Sequence, residues 1–487
     1  MTGSGLPILV AYYLLLIWLV VYSLHRFYLI RLIRRSPLTS RRIEVPSLWP
    51  SVTVQLPVYN ERFVVRRLIR AAANLDYPGS LVIQVLDDST DDTTAIIRRE
   101  LAALSDSRIV HVRRDKRSGY KAGALAFGME RSSSELYAVF DADFVPNRDF
   151  LLRTVPQFCD SEVGMVQARW GHLNRRESLL TRLQALYLDA HFGVESAARH
   201  RAGLFFNFNG TAGVWRREAI ESAGGWSATT VTEDLDLSYR AQRRGWKFTF
   251  LSDTEVPAEL PNTLTAFHGQ QFRWAKGSLQ TARLHVGAIL RSTLPWRVKM
   301  EALFHLTNNS AYLLTLILGL LLVPSIMIRY ASGLSWILGL DALLFLTSTA
   351  SLIAFYREGQ RQIGQPLPKI REVIWLIPFG IGLSVTNARA VIEGLTRRGG
   401  VFNRTLKQGS AGIRITESRP PIRWSETILS LYFASTTLLI LAQGIVAPIP
   451  FIALFLVGYG STAVLAFAER AEHRHATSTL GERAESV

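Results

Sequence analysis

Val52-Thr53-Val54-Gln55-Leu56-Pro57-Val58-Tyr59-Asn60-Glu61 is the stretch that decides how the centre of this chain folds. Val52, Val54 and Leu56 alternate with Thr53 and Gln55, the period of a strand, and Pro57 is read as its stop. A helix is expected over 61–74, then a buried strand at Leu81-Val82-Ile83-Gln84-Val85-Leu86 and a helix over 91–104. Residues 109–112, 119–130 and 136–140 add a strand, a helix and a fourth strand. This alternation with short links predicts a largely parallel, doubly wound α/β sheet, whose ligands sit outside the carboxyl ends of the strands. Tyr59-Asn60-Glu61, Asp87-Asp88 and Asp141-Ala142-Asp143 each fall at such an end.

Outward from this α/β domain, placed at 46–277, the chain becomes apolar on both sides. Hydrophobic residues make up 48% of 487, too many for a wholly soluble protein. The formal charge of +16 fits either a nucleic-acid partner or basic loops beside anionic lipid, and the apolar runs favour the second. The run 6–24 lacks a basic leader and is followed by Arg26, Arg31, Arg34 and Arg35, so residues 1–32 read as an uncleaved anchor with its N-terminus outside. Past Trp274, Leu279, Ala282, Val286 and Ile289 keep helical spacing among Arg283, Arg291, Arg297 and Lys299. An interfacial amphipathic helix is expected over 278–300, with a surface helix of the α/β domain as the alternative.

Spans follow at 303–328, 334–356, 428–446 and 448–468, each close to the roughly 20 residues a bilayer needs. The segment 373–395 is apolar but has basic flanks and contains Pro378, Gly380, Gly382, Asn387, Arg389 and Glu393. It reads as re-entrant or interfacial, giving five spans, a membrane region over 301–470 and a cytoplasmic C-terminus. Residues 471–487 read as a polar tail. The single cysteine, Cys159, excludes an internal disulfide and a cysteine zinc site and is expected in the core.

Five further readings concern chemistry. Asp141 and Asp143 at a strand end suit a divalent cation that bridges to a diphosphate, although Asp-x-Asp is also common in turns. Asp88 suits a hydrogen bond from a nucleotide base; Ser89, Thr90 and Asp92 are spare caps for the helix that follows. Lys121 at a helix start opposes the dipole, which a docked diphosphate would explain and a solvated lysine would not need. Thr232-Glu233-Asp234 opens a helix, either as cap and first-turn acids or with Asp234 as a general base. In Gln270-Gln271-Phe272-Arg273-Trp274, Trp274 is either an interfacial anchor or a platform for a sugar ring.

In this order, Pro57-Val58-Tyr59-Asn60-Glu61, Asp87-Asp88-Ser89, Asp141-Ala142-Asp143, Thr232-Glu233-Asp234 and Gln270-x-x-Arg273-Trp274 resemble the motifs of processive family 2 glycosyltransferases, the group of cellulose, hyaluronan, chitin and mannan synthases. Gly245-Trp246-Lys247-Phe248, Glu259-Leu260-Pro261-Asn262-Thr263 and Ala266-Phe267 are similar to the cellulose-synthase-like A and C branches and their bacterial relatives. The resemblance implies a GT-A domain inserted between transmembrane helices of a multi-pass membrane protein. It also implies a nucleotide-diphosphate sugar donor (UDP-glucose or GDP-mannose), Mg or Mn, and inversion to a β-linkage.

Carried over by motif, nucleotide and donor binding fall to Tyr59, Glu61, Asp87, Asp88, Lys121 and Asp141. Asp143, with Asp141, would meet the metal, and Asp234 would be the base. Glu233, Asn209, Gly210, Gln270, Arg273 and Trp274 would shape the acceptor and diphosphate end. Phe402, Arg404, Thr405 and Lys407 resemble a gating loop over about 396–425, although the usual Thr-Pro-Lys is Thr405-Leu406-Lys407 here. The implied product is an exported β-linked polysaccharide, with a glycolipid as the alternative. The implied partners are a nucleotide sugar, a polysaccharide or lipid acceptor and membrane lipid, with no nucleic acid and with accessory export subunits left open. The implied place is the plasma or inner membrane, with the catalytic domain cytoplasmic.

Overall fold

The computed structural model describes residues 5–36, 45–400 and 420–485, with side chains to residue 474. Its strands are β1 (Val52–Val58), β2 (Leu81–Asp87), β3 (Ile109–Arg113), β4 (Leu136–Val139), β5 (Val163–His172), β6 (Gly213–Arg216) and β7 (Lys247–Ala258). They form one sheet in the order β3-β2-β1-β4-β6-β5-β7. The first four strands are parallel, as their spacing predicts. β6 runs antiparallel to both β4 and β5, and β5 is parallel to β7, so the whole sheet is mixed.

Helix α1 (Leu6–Arg35) precedes the sheet, and α2 (Val65–Ala73), α3 (Thr93–Leu104) and α4 (Tyr120–Met129) are its first crossovers. α5 (Phe150–Thr154), α6 (Leu179–Ala190), α7 (Ala197–Arg201), α8 (Arg217–Ser222) and α9 (Glu233–Gln242) complete the α/β domain. Then come α10 (Leu264–Arg291), α11 (Trp296–Thr307), α12 (Ser310–Ala331), α13 (Leu338–Gln362), α14 (Ile370–Thr396), α15 (Trp424–Ala442) and α16 (Ile449–Glu485). Among the described residues six helices are long and apolar enough to cross a membrane: α1, α12, α13, α14, α15 and α16.

The alternation read in β1 divides the core. Val52, Val54 and Leu56 are buried with Val65, Leu68, Ile69 and Ile97, each contributing about 1.5–3 kcal/mol. Thr53 and Gln55 point the other way, where Gln55 donates to Gln84 Oε1 (3.2 Å) and to the Leu125 carbonyl (3.1 Å). The second core, holding Leu125, Tyr137 and Trp215, is continuous with Leu29 and Ile33 of α1, Phe355 of α13 and Val373 of α14. The α/β domain is therefore fused to the ends of the apolar helices.

Several boundaries differ from the sequence reading. β1 passes through Pro57 to Val58, because its pairing with β4 already ends at Gln55 and the missing N–H costs no ladder bond on that side. The amphipathic helix expected over 278–300 is divided between the end of α10, which starts where the Thr263 hydroxyl caps the Ala266 N–H, and the start of α11. The span expected from 303 begins at Ser310, after the separate α11. α16 continues as helix to Glu485 in place of the expected tail from 471, and Cys159 is exposed.

The segment 373–395 lies within one uninterrupted helix, α14, despite Pro378. Val373 and Leu376 at one end share the core with Leu183 and Leu186 of α6. Near the other end Glu393 pairs with Lys276 at 3.1 Å, and just beyond it the Gly399 N–H donates to the Thr229 carbonyl at 3.0 Å. Phe379 stacks on Phe267 (5.2 Å) and Thr386 meets His268 (2.9 Å), so α14 runs alongside α10 with both ends against the α/β domain.

Candidate active site

A cleft of about 200 Å³ opens at the carboxyl ends of β1 and β4. Past β4 the chain turns, with the Asp141 N–H held by the Thr211 hydroxyl at 2.9 Å and its carbonyl accepting from Phe144 N–H at 3.0 Å. This turn presents Asp141 and Asp143 to the cleft. Lys121, in the first turn of α4, donates to Asp141 Oδ1 (2.5 Å) and to the Gly210 carbonyl (2.8 Å) and lies 3.9 Å from Glu233. Asp234 accepts from the Leu235 N–H at 2.8 Å. Gly210 has φ +81°, and a Cβ there would stand 3.0 Å from Asp234 Oδ2, so both conformation and space require glycine. Asn209 is fixed by its N–H to Gln167 (2.9 Å) and by its carbonyl oxygen to His191 (3.0 Å). His191 opens a π-helical turn (His191–Ser196) and continues through Glu195, Arg199 and Glu301 to His25 of α1, with contacts of 2.8–3.3 Å.

Asp234 and Glu233 are perturbed by their burial. Burial, reinforced by Glu233, pushes Asp234 up to about 7 against the opposing charge of Lys121. Burial also raises Glu233, against the opposing charge of Lys121. For Lys121 burial acts downward, but Asp141, Glu233 and Asp234 outweigh it and raise it above the ordinary lysine value. Burial pushes Arg273 down to about 10, against the pull of Glu233 and Asp141.

Of the residues singled out in the sequence, Tyr59, Glu61, Asp88, Lys121, Asp141, Asp143, Asn209, Gly210, Glu233, Asp234, Gln270, Arg273 and Trp274 all line this cleft. Asp87 does not. Its buried carboxylate accepts from Ser89 N–H (2.9 Å), Thr94 (2.8 Å) and Arg113 (3.1 Å) and meets His111 (3.0 Å). Asp88 faces the cleft while gripped through both oxygens by Arg114, which also ties down the Ser118 and Tyr120 carbonyls before Lys121. Each Asp88 oxygen keeps a second lone pair. Phe402, Arg404, Thr405 and Lys407 lie outside the described residues.

The structure adds residues that the sequence reading missed. Arg117 covers the face of Tyr59 at 3.4 Å. His172, at the end of β5, faces the cleft and binds the buried Asp189, which Gln360 of α13 also holds at 2.7 Å. Trp170 stands 6.3 Å from Trp274, widening the aromatic wall. Only the strand-end position of His172 carried a signal.

No group of three or more His, Cys, Asp or Glu side chains forms a metal cage among the described residues. Glu61, Asp88, Asp141, Asp143, Glu233, Asp234 and Glu259 nevertheless line the cleft with Arg117, Lys121 and Arg273, and even with Arg114 on Asp88 and Arg67 on Glu259 the acids outnumber the cations. An anionic diphosphate enters such a site together with a divalent cation. Asp141 and Asp143 are the hard oxygen donors that a cation shared with phosphate oxygens uses. The residues fit the group.

A profile described as "Glycosyltransferase like family 2" matches residues 50–277. The chain is 36% identical over 417 residues to "Probable glucomannan 4-beta-mannosyltransferase 3" of Oryza sativa subsp. japonica, covering 80% of this chain and 73% of that protein. It is 46% identical over 254 residues to "Glucomannan 4-beta-mannosyltransferase 2" of Arabidopsis thaliana, covering 50% and 48%. The chain spans about half the length of several of these curated relatives. Among solved structures, the mannosyltransferase PcManGT from Pyrobaculum calidifontis, in complex with GDP-Man and Mn2+, superposes with TM-score 0.54 at 20% identity, covering 80% of this chain and 99% of that one. That likeness shows the GT-A fold. The chain belongs to the family 2 glycosyltransferases, and its relatives there are the glucomannan mannosyltransferases.

Proposed function

We propose that this protein transfers mannosyl units from GDP-mannose to a hydroxyl of a growing β-linked glycan, with inversion, and passes the glycan through the membrane. The observation that carries this reading is Asp234: a buried carboxylate at about 7, in one cleft with Asp141, Asp143, Lys121 and Trp274. Its value suits a general base near neutral pH. The acceptor oxygen bonds to the sugar's anomeric carbon as the bond to the diphosphate breaks, the diphosphate leaves with the electron pair, and Asp234 takes the hydroxyl proton. Lys121 and Arg273 orient the diphosphate, Asp88 and Tyr59 the nucleotide, and Trp274 with Trp170 the acceptor ring. Asp143 with Asp141 would hold a divalent cation, Mg or Mn, which would supply charge neutralisation at the leaving group when bound. The names of the relatives favour mannose over glucose.

A second cavity of about 330 Å³ supports export. It lies among α1, α12, α13, α14 and α16, and Gln271 and Tyr187 line it where their neighbours Gln270 and Leu188 line the cleft. The two spaces thus share walls, and a polar polymer crossing lipid needs such an enclosed path. With both its ends on the α/β domain, α14 reads as interfacial, leaving five crossings and basic ends such as Arg34, Arg35 and Arg361 on the cytoplasmic side of a plasma membrane.

Membrane vesicles incubated with labelled GDP-mannose or UDP-glucose, followed by linkage analysis, test the reading. Long β-mannan from GDP-mannose, abolished by a metal chelator, is expected. Label confined to a short glycolipid overturns it.

A further inference from the structure

Two charged residues sit inside the apolar bundle, far from the cleft. Arg329, in the last turn of α12, and Asp341, in the first turn of α13, are 0% and 3% exposed. Arg329 Nη1 donates to Asp341 Oδ2 at 2.7 Å and to the Tyr13 hydroxyl at 2.8 Å, and Tyr12 donates to the same Oδ2 at 3.1 Å. Ser325 accepts from Arg329 through its carbonyl (3.1 Å) and its hydroxyl (3.2 Å). Two donors, Arg329 of α12 and Tyr12 of α1, therefore converge on one carboxylate oxygen, while Tyr13 and Ser325 hold the arginine. The other oxygen, Oδ1, is buried without a hydrogen-bond partner among the described residues.

Asp341 and Tyr12 line the second cavity. At roughly 1.5 Å per residue, about 28 Å of α13 separates Asp341 from Gln360, close to the thickness of a bilayer core. Gln360 is the residue that touches Asp189 of the α/β domain. The cluster is thus at the end of the cavity away from the cleft. Ionised groups inside a membrane bundle are costly unless they pair or meet a ligand, and pairing accounts for only one oxygen of Asp341.

We infer that Asp341, clamped by Arg329, Tyr12 and Tyr13, is a hydroxyl-binding site at the far mouth of the cavity, its Oδ1 accepting a hydrogen bond from a sugar hydroxyl of the emerging glycan. The inference rests on the export reading. The apolar wall around it, including Phe345, Phe451 and Phe455, offers ring faces to the sugar while the carboxylate takes its hydroxyl edge. Arg329 and Tyr12 both bond Oδ2, so the clamp holds the carboxylate without spending Oδ1.

The test uses sealed inside-out vesicles holding the full chain, with labelled GDP-mannose added outside. The readout is the fraction of labelled glycan protected from added endoglycanase until detergent is supplied, normalised to sugar transferred. Arg329→Met/Asp341→Leu removes both charges at similar volume, a change that buried ion pairs often tolerate. The protected fraction is expected to fall about tenfold, the effect of losing one hydrogen bond to a charged acceptor. If this variant does not fold, as judged by thermal unfolding, Asp341→Asn takes its place with a smaller fall in the same direction. A protected fraction equal to that of the unaltered protein, in whichever variant folds, overturns the site and makes the pair structural. If the unaltered protein itself protects no glycan, the export reading has failed and the site falls with it, an outcome visible in a different arm.

Discussion

Asp87, at the end of β2, and Asp234, at the start of α9, are both aspartates drawn out of water in one domain, and their surroundings drive them apart. Asp87 is also penalised by burial, but His111, Ser89 and Thr94 outweigh it and hold the carboxyl down to about 2. Asp234 has one backbone N–H and a like-charged neighbour, so burial prevails and it rises to about 7. The partners decide what burial does: a fully bonded carboxylate is a structural anion, whereas an under-bonded one beside another acid is poised to take a proton.

Asp234→Asn should break the contrast most severely. Transfer is expected to fall by about 10²–10⁴-fold with donor affinity retained, read as kcat against KM for the nucleotide sugar. Unchanged kcat would remove Asp234 from the chemistry.

The pH profile sharpens it. Because the base acts when deprotonated, kcat/KM should decline as pH drops through about 7. Lys121 is the cation that restrains Asp234, so Lys121→Met should move this limb to higher pH and cost roughly tenfold to a hundredfold at pH 6.5. A limb that stays in place would show that Lys121 does not set the base.

The smallest effect belongs to Asp87→Asn, which should lower stability by about 1–3 kcal/mol at neutral pH and leave kcat nearly unchanged. Asp87 has a depressed folded-state value, so its contribution is present above the unfolded carboxyl value near about 4. That contribution is lost as pH falls through about 2. The difference in Tm between the two proteins should therefore narrow below about pH 4, which thermal unfolding over a pH series reads directly.

Period and order made much of this legible. Alternation in Val52–Leu56 and the apolar run at Leu81–Leu86 gave the parallel half of the sheet, and with it the strand ends that carry Tyr59, Asp88, Asp141 and Asp143. The same alternation also bears on Asp87: successive residues of a strand face opposite ways, so Asp87 and Asp88 do not share a cleft. The antiparallel strand β6 was not separable, being short and flanked by glycines and a helix. Arg117 was invisible because its position depends on contact with Tyr59, and His172, whose strand-end position was its one signal, is fixed by Asp189, distant in sequence. The start of α10 was written in Thr263, whose capping role was overlooked beside the stronger change of composition after Trp274.

α10 itself imposes a constraint of a different kind. Gln270, Arg273 and Trp274 face the cleft, while Phe267 and Gln271 face the second cavity, all on one uninterrupted helix. Inserting a single residue ahead of Phe267 would turn everything after it by about 100°, bringing Gln270 to the second cavity and Gly269 and Phe272 to the cleft. The helix is locked in length: it can accept new residues on its outer face, but it has no freedom to gain or lose one.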